Sequence, residues 1–286
     1  MSSTALVLGG GGVTGIAWEL GIIAGLLDTG LDLRNADLVV GTSAGSTVGA
    51  QILINPEIEE LYAAQIAGPG KEIRPKAGSS LGFMARIVVM TLRARRERDE
   101  ETLRDYALRA GAFAKKARTV APEERFAVIE SRLPSLEWPT GRLQITAVNA
   151  DSGERRVFDR DSGVSLLEAV AASCAVPGIW PPVRIDGGLY IDGGISSPAN
   201  VDLVAGYEHV VVLAPIGRSG LPGTGVAEQV EALGAGVRAH LVQPDKAALD
   251  AIGRNPLDPR SRVGAGKAGR EQAPRIADAV AEMWTS

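Results

Sequence analysis

The chain has 286 residues, 45% hydrophobic and 22% charged, a balance ordinary for a globular protein and a length that allows one large α/β domain. A net charge of −4 excludes the broad basic field of a nucleic-acid binder. One cysteine, Cys174, excludes an internal disulfide and suits a reducing, cytoplasmic compartment, and with only two histidines, His209 and His240, it leaves little for a zinc site.

The N-terminus, MSSTALVLGGGG, has neither the basic region nor the apolar core of a secretory signal. No run approaches the ~20 apolar residues of a membrane-spanning helix. Thr4–Leu8 is an apolar run that predicts a buried first strand. It leads into Gly9–Gly15, after which Ile16, Leu20, Ile23 and Leu27 mark one face of a helix ending before Gly30. A glycine loop between strand and helix presents amides to an anion. Gly10, Gly12 and Gly15 fit the dinucleotide-binding spacing, but that fingerprint wants an acidic residue after the second strand. Here the second strand, Asp37–Val40, ends in Gly41-Thr42-Ser43-Ala44-Gly45. The loop is therefore read as an oxyanion hole, with Gly10, Gly11 and Gly12 as donors.

The pentapeptide at Gly41–Gly45 is a G-x-S-x-G motif followed by Val48, Ile52 and Leu53 at helical spacing. Strand, tight turn and helix in that order place Ser43 at the apex of an elbow, its hydroxyl projecting, with Gly41 and Gly45 allowing close packing behind it. The Ala44 amide at the helix N-terminus favours developing negative charge. A nucleophile beside an anion site is what acyl transfer requires. The same motif alone is also consistent with a glycine-rich turn without chemistry.

Between residues 56 and 136 the pattern is less regular. Pro56–Ile66, Glu101–Lys116 and Pro122–Leu133 read as helices, and Gly68–Ser80 as a loop. The region is expected to form a helical cap. Ile87, Val88, Val89 and Met90, followed by Arg93, Arg95 and Arg96, would suit peripheral contact with an anionic lipid surface. An ordinary amphipathic helix with a solvated charged end is the favoured alternative.

Leu143–Val148 and Arg156–Phe158 form a predicted hairpin about Asp151-Ser152-Gly153. Ser165 and Glu168 make a capping box that opens a helix over Leu166–Ser173. Val183–Ile191 and the residues that follow it carry two Asp-Gly-Gly turns, at Asp186 and Asp192. Val210–Ala214 and Val237–Val242 read as further strands, and the chain from Asp245 as helical with breaks at Pro256 and Pro259. No repeat or linker divides the chain, so residues 1–286 are expected to form a single domain.

Three motifs stand in order: GGGGVTG at Gly9–Gly15, GTSAG at Gly41–Gly45 and YIDGG at Tyr190–Gly194. Together with Ala171–Pro182 leading into the Asp turn, they resemble the patatin-like phospholipases over Leu6 to about Pro215. The resemblance implies an α/β fold, a three-layer α/β/α sandwich of patatin type with a mostly parallel central sheet. It implies a Ser–Asp dyad of Ser43 as nucleophile and Asp192 as base, an oxyanion hole at the glycine loop, and structural roles for Gly15, Gly41, Gly45, Gly193 and Gly194. It also implies a lipid ester or phospholipid substrate and no metal or organic cofactor. Asp192 is preferred over Asp186 because it follows Tyr190-Ile191 and precedes the polar stretch Ile195–Asn200. The chain departs from the family at Thr14, where Arg or Lys is usual, and at Pro198-Ala199-Asn200, where the family has Asn-x-Pro. The competing readings are a Ser–His–Asp esterase using His209 or His240, and a catalytically silent lipid-binding protein of the same fold.

Overall fold

The computed structural model describes residues 3–68, 100–219, 221 and 223–284. β1 (Thr4–Leu8) feeds through the glycine loop into α1 (Gly12–Asp28), and β2 (Leu38–Thr42) feeds through the elbow into α2 (Ala44–Ile54). β2 runs to Thr42, beyond the apolar run, so Ser43 follows its last residue directly. Then come α3 (Ile58–Ile66), α4 (Glu100–Lys116), α5 (Pro122–Glu130), β3 (Leu143–Asn149), β4 (Arg155–Phe158) and α6 (Leu166–Ser173). The chain continues with β5 (Val183–Ile185), β6 (Gly188–Asp192), β7 (His209–Leu213), α7 (Val226–Ala232), β8 (Arg238–Val242), α8 (Lys246–Ile252) and α9 (Arg262–Trp284). The expected capping box is present, with the Glu168 amide donating to Ser165 Oγ and the Ser165 amide to Glu168 Oε2.

The strands form one eight-stranded sheet in the order β5-β6-β3-β2-β1-β7-β8, with β4 also paired to β3. β3, β2, β1, β7 and β8 are mutually parallel, and the pairings of β4, β5 and β6 are antiparallel. Alternation along the strands sorts their side chains to two faces. Leu6, Leu8, Val39, Ile145 and Val211 pack into a core with α1, α2, α3, α6 and α9. Ala5, Val7, Val40, Val210 and Val212 pack against Val201, Val204 and Val226 of α7 on the other face, where Val148 and Ile191 meet Tyr106, Ala107 and Ala110 of α4. The fold is a three-layer α/β/α sandwich. The carboxyl ends of β1 and β2 lie side by side at one edge, the usual place for a site in such sheets.

The expected cap over residues 56–136 is corrected at its start. Ile58, Leu61 and Tyr62 of α3 are buried in the same core as α1, so this helix belongs to a layer of the sandwich. Residues 69–99, which include the apolar and basic stretch from Ile87 to Arg96, lie outside the described residues. No helix among the described residues is long and apolar enough to cross a membrane.

α1 is buried along most of its length because α9 lies across it. Cβ atoms on Gly21, Gly25 or Gly269 would collide with the facing helix, and Trp18 Nε1 donates to Gln272 Oε1 at 3.1 Å. Within this helix Glu19 is fully buried, and among the described residues neither carboxyl oxygen has a hydrogen-bond partner. Burial raises its pKa well above 4.5; the nearby Gly9 amide opposes this weakly, being already bonded to the Leu213 carbonyl at 2.9 Å. Such an acid takes up a proton on folding, so its contribution favours the fold below its unfolded value and is lost as pH rises toward the raised folded one. Glu19→Gln, neutral at every pH, should melt close to wild type at pH 5 and several degrees above it at pH 8 in calorimetry.

Candidate active site

The site begins with backbone geometry. Ser43 has φ 53° and ψ −112°, a left-handed conformation for a residue with a Cβ, which costs ~1–3 kcal/mol and persists only where surroundings hold it. A Cβ on Gly45 would collide with the Leu8 carbonyl, so the motif's second glycine lets the elbow close onto β1. Gly41 likewise faces the backbone of Gly45 and Ser46, and Gly15 lies against Ala44 and Pro215.

Asp192 ends β6, where it pairs with Ala147 of β3. Its Oδ2 accepts from Ser43 Oγ at 2.7 Å, and its Oδ1 accepts from the Gly194 amide at 2.8 Å. Ser43 and Asp192 are 8% and 5% exposed, so this hydrogen bond is shielded from bulk water. The turn can sit this deep because Gly193 approaches Thr146 so closely that a Cβ there would overlap its hydroxyl and carbonyl. Desolvation pushes the Asp192 carboxyl up to about 6, against the Ser43 hydrogen bond, the Gly194 amide and the positive charge of Arg125. That brings the ionisation of this carboxyl toward neutrality. The buried Arg125 guanidinium stacks on the Trp180 ring at 4.1 Å.

Of the four expected oxyanion donors, the structure keeps three available. Among the described residues the amides of Gly11, Gly12 and Ala44 have no acceptor. Gly11 caps α1, and Gly12 and Ala44 open α1 and α2. Gly10 is a correction: its amide donates to the Pro198 carbonyl at 2.8 Å, because the chain after the Asp turn folds back over the loop. It still borders Ser43, whose Cβ lies 3.6 Å from where a Gly10 Cβ would be.

Asp186 turns the β5–β6 hairpin with φ 50° and pairs with Arg156 at 3.0 Å, away from Ser43. His209 begins β7 opposite Thr4, the first residue of β1. It therefore lies about 13 Å of strand from the edge that carries the elbow, and its Nδ1 contacts the Met283 carbonyl. His240 lies within β8 beside Val211, where burial lowers its pKa. Neither imidazole touches the Ser43–Asp192 pair. No group of three or more potential metal ligands occurs among the described residues.

The sequence marked Asn200 only as part of the Pro198-Ala199-Asn200 departure, yet it bridges β2, β3 and the turn after β6. Its Nδ2 lies 3.0 Å from Thr42 Oγ1, 3.2 Å from Thr146 Oγ1, 3.0 Å from the Ser197 carbonyl and 3.4 Å from the Gly193 carbonyl. Its Oδ1 accepts from Arg155 at 3.0 Å, and its own backbone is left-handed, which asparagine tolerates better than most residues. The only available signal was its place after the Asp turn.

The chain belongs to the patatin-like phospholipase family, whose model matches residues 6–205. Two curated relatives are the lysophospholipases nte1 of Aspergillus niger and Aspergillus fumigatus, 26% and 25% identical over 212 residues. The match covers 74% of this chain and 12% of each relative, so the chain spans about an eighth of their length. Among solved structures, VipD from Legionella pneumophila is 16% identical with a TM-score of 0.48, the alignment covering 98% of this chain and 67% of that one.

Asn200→Ala would strip donors from buried carbonyls and place alanine in a left-handed conformation. It should lower unfolding free energy by about 2–4 kcal/mol in urea titrations.

Proposed function

We propose that the chain is a serine acyl hydrolase that cleaves carboxylic esters of lipids, phospholipids or lysophospholipids included, through a Ser43–Asp192 dyad. The observation that carries this reading is the 2.7 Å hydrogen bond from Ser43 Oγ to Asp192 Oδ2 in a buried setting. Family membership and the relatives named lysophospholipase favour a lipid ester as the substrate.

In this mechanism Ser43 Oγ attacks the ester carbonyl while Asp192 takes its proton. The carbonyl oxygen becomes negative and is met by the Gly11, Gly12 and Ala44 amides, reinforced by the N-termini of α1 and α2. Collapse of the tetrahedral species expels the alcohol, which receives the proton from Asp192. Water then attacks the acyl-Ser43 ester with Asp192 again as base, releasing the fatty acid and restoring the hydroxyl. The dyad needs no imidazole, metal or organic cofactor. Residues 1–286 act together as one catalytic domain, since the sheet that positions Ser43 also holds the strands after residue 205. Peripheral contact with a lipid surface is part of this reading, because the substrate resides there.

A panel of p-nitrophenyl esters and lysophospholipids should show turnover by wild type. Ser43→Ala and Asp192→Asn should each lose about three orders of magnitude in kcat/KM, while His209→Gln and His240→Gln keep most of it. Equal turnover by all these proteins would sink the proposal. Because only ionised Asp192 can accept the serine proton, and its carboxyl is pushed up to about 6, kcat/KM should climb roughly tenfold per pH unit below that value and level off above it. A flat profile between pH 4.5 and 7.5 would argue against Asp192 as the base.

A further inference from the structure

Three consecutive residues outside the dyad each bond to the backbone of one of its members. The Ser43 amide donates to Ser173 Oγ at 2.8 Å. Cys174 Sγ donates to the Ser43 carbonyl at 3.2 Å. The Asp192 amide donates to the Ala175 carbonyl at 3.1 Å. The run stands where α6 stops, Ser173 being its last residue and Cys174 its C-cap, and all three residues are buried.

Their arrangement answers a specific need. Ser43 is held at φ 53°, and a backbone in that region relaxes unless its flanking peptides are fixed. Here both of its main-chain polar groups are taken, the amide by Ser173 and the carbonyl by Cys174 together with Ser46 Oγ at 2.7 Å. The Ser173 oxygen serves the elbow as an acceptor, a role that leaves its own O–H free to donate elsewhere. Burial raises the Cys174 thiol pKa, with Arg125 and Arg132 opposing and Asp192 assisting, so the sulfur keeps the proton it donates.

We propose that Ser173, Cys174 and Ala175 are positioning residues that hold the strained elbow and the Asp turn to a single helix end, and so set the spacing between nucleophile and base. The spacing then depends on one rigid element, and not on two turns adjusted separately. The inference rests on the Ser43–Asp192 reading, and its test separates the two.

Ser173→Ala, Cys174→Ala, Cys174→Ser and Ser43→Ala would be assayed with a soluble p-nitrophenyl ester across pH, with the folded fraction of each protein followed by circular dichroism melting. Ser173→Ala should lower kcat by about 10- to 100-fold at unchanged KM and near-unchanged melting. Its acid limb should also move to higher pH, because Asp192 loses the Ser43 hydrogen bond that holds its pKa down; Arg125 and the Gly194 amide, the other groups acting on that carboxyl, stay in place. Cys174→Ala should lose about 3- to 10-fold, and Cys174→Ser, which keeps a donor, should recover most of it. Wild-type kcat in Ser173→Ala, or a loss matched by lost folded protein with the acid limb unmoved, overturns the positioning role while an inactive Ser43→Ala leaves the hydrolase standing. Full activity in Ser43→Ala removes both.

Discussion

A serine hydroxyl is a poor nucleophile, and a carboxylate in water is a poor base for it. In the proposed dyad both difficulties would be met by burial, which takes Ser43 and Asp192 out of water while a 2.7 Å hydrogen bond joins them. Desolvation disfavours the charged carboxylate more than the neutral acid, so the Asp192 pKa rises. Unchecked, burial would leave the acid protonated at neutral pH and useless as a base. The Ser43 hydroxyl, the Gly194 amide and the Arg125 charge each favour the ionised form and hold the value at about 6. Glycines let backbones approach closely enough to exclude water, and the sheet brings together residues 149 positions apart.

Much of this architecture was legible in the sequence for physical reasons. β1, β2 and β7 are buried on both faces, so they read as largely apolar runs. The helix over Leu166–Ser173 carries its own start signal in Ser165 and Glu168. The two glycine motifs mark sites where a Cβ would collide with a neighbouring backbone, and such positions leave a residue-level trace. Asp186 could be set aside as a hairpin turn because a strand precedes and follows it, and its exposed pairing with Arg156 fits that reading.

What remained hidden is tertiary contact between residues of ordinary type. Nothing near Ser173 announces that its hydroxyl accepts from an amide 130 positions earlier. Gly10 and Gly11 are identical in sequence and adjacent in the loop, yet the Pro198 carbonyl takes the first amide and leaves the second open. The place of α3 was equally concealed, because an amphipathic helix shows which face it buries but not against what. Asn200 is a further case: its importance comes from lying between Thr42, Thr146 and Gly193, which only the folded sheet brings within reach.

The departure at Thr14 has a structural counterpart. Its amide and its hydroxyl both reach the Pro256 carbonyl, at 3.2 and 3.1 Å, and a Cβ on Gly12 would strike Pro256 and Leu257. The glycine loop is thus held by a segment that lies beyond the part matching the family model, between α8 and α9. A cationic side chain at position 14 would have to displace that contact or leave the interior, since Thr14 is fully buried. The charge expected from the family resemblance at this position is replaced by two hydrogen bonds to the Pro256 carbonyl. In the proposed mechanism the Gly11 and Gly12 amides would act as fixed dipoles that stabilise a developing oxyanion without reorganising.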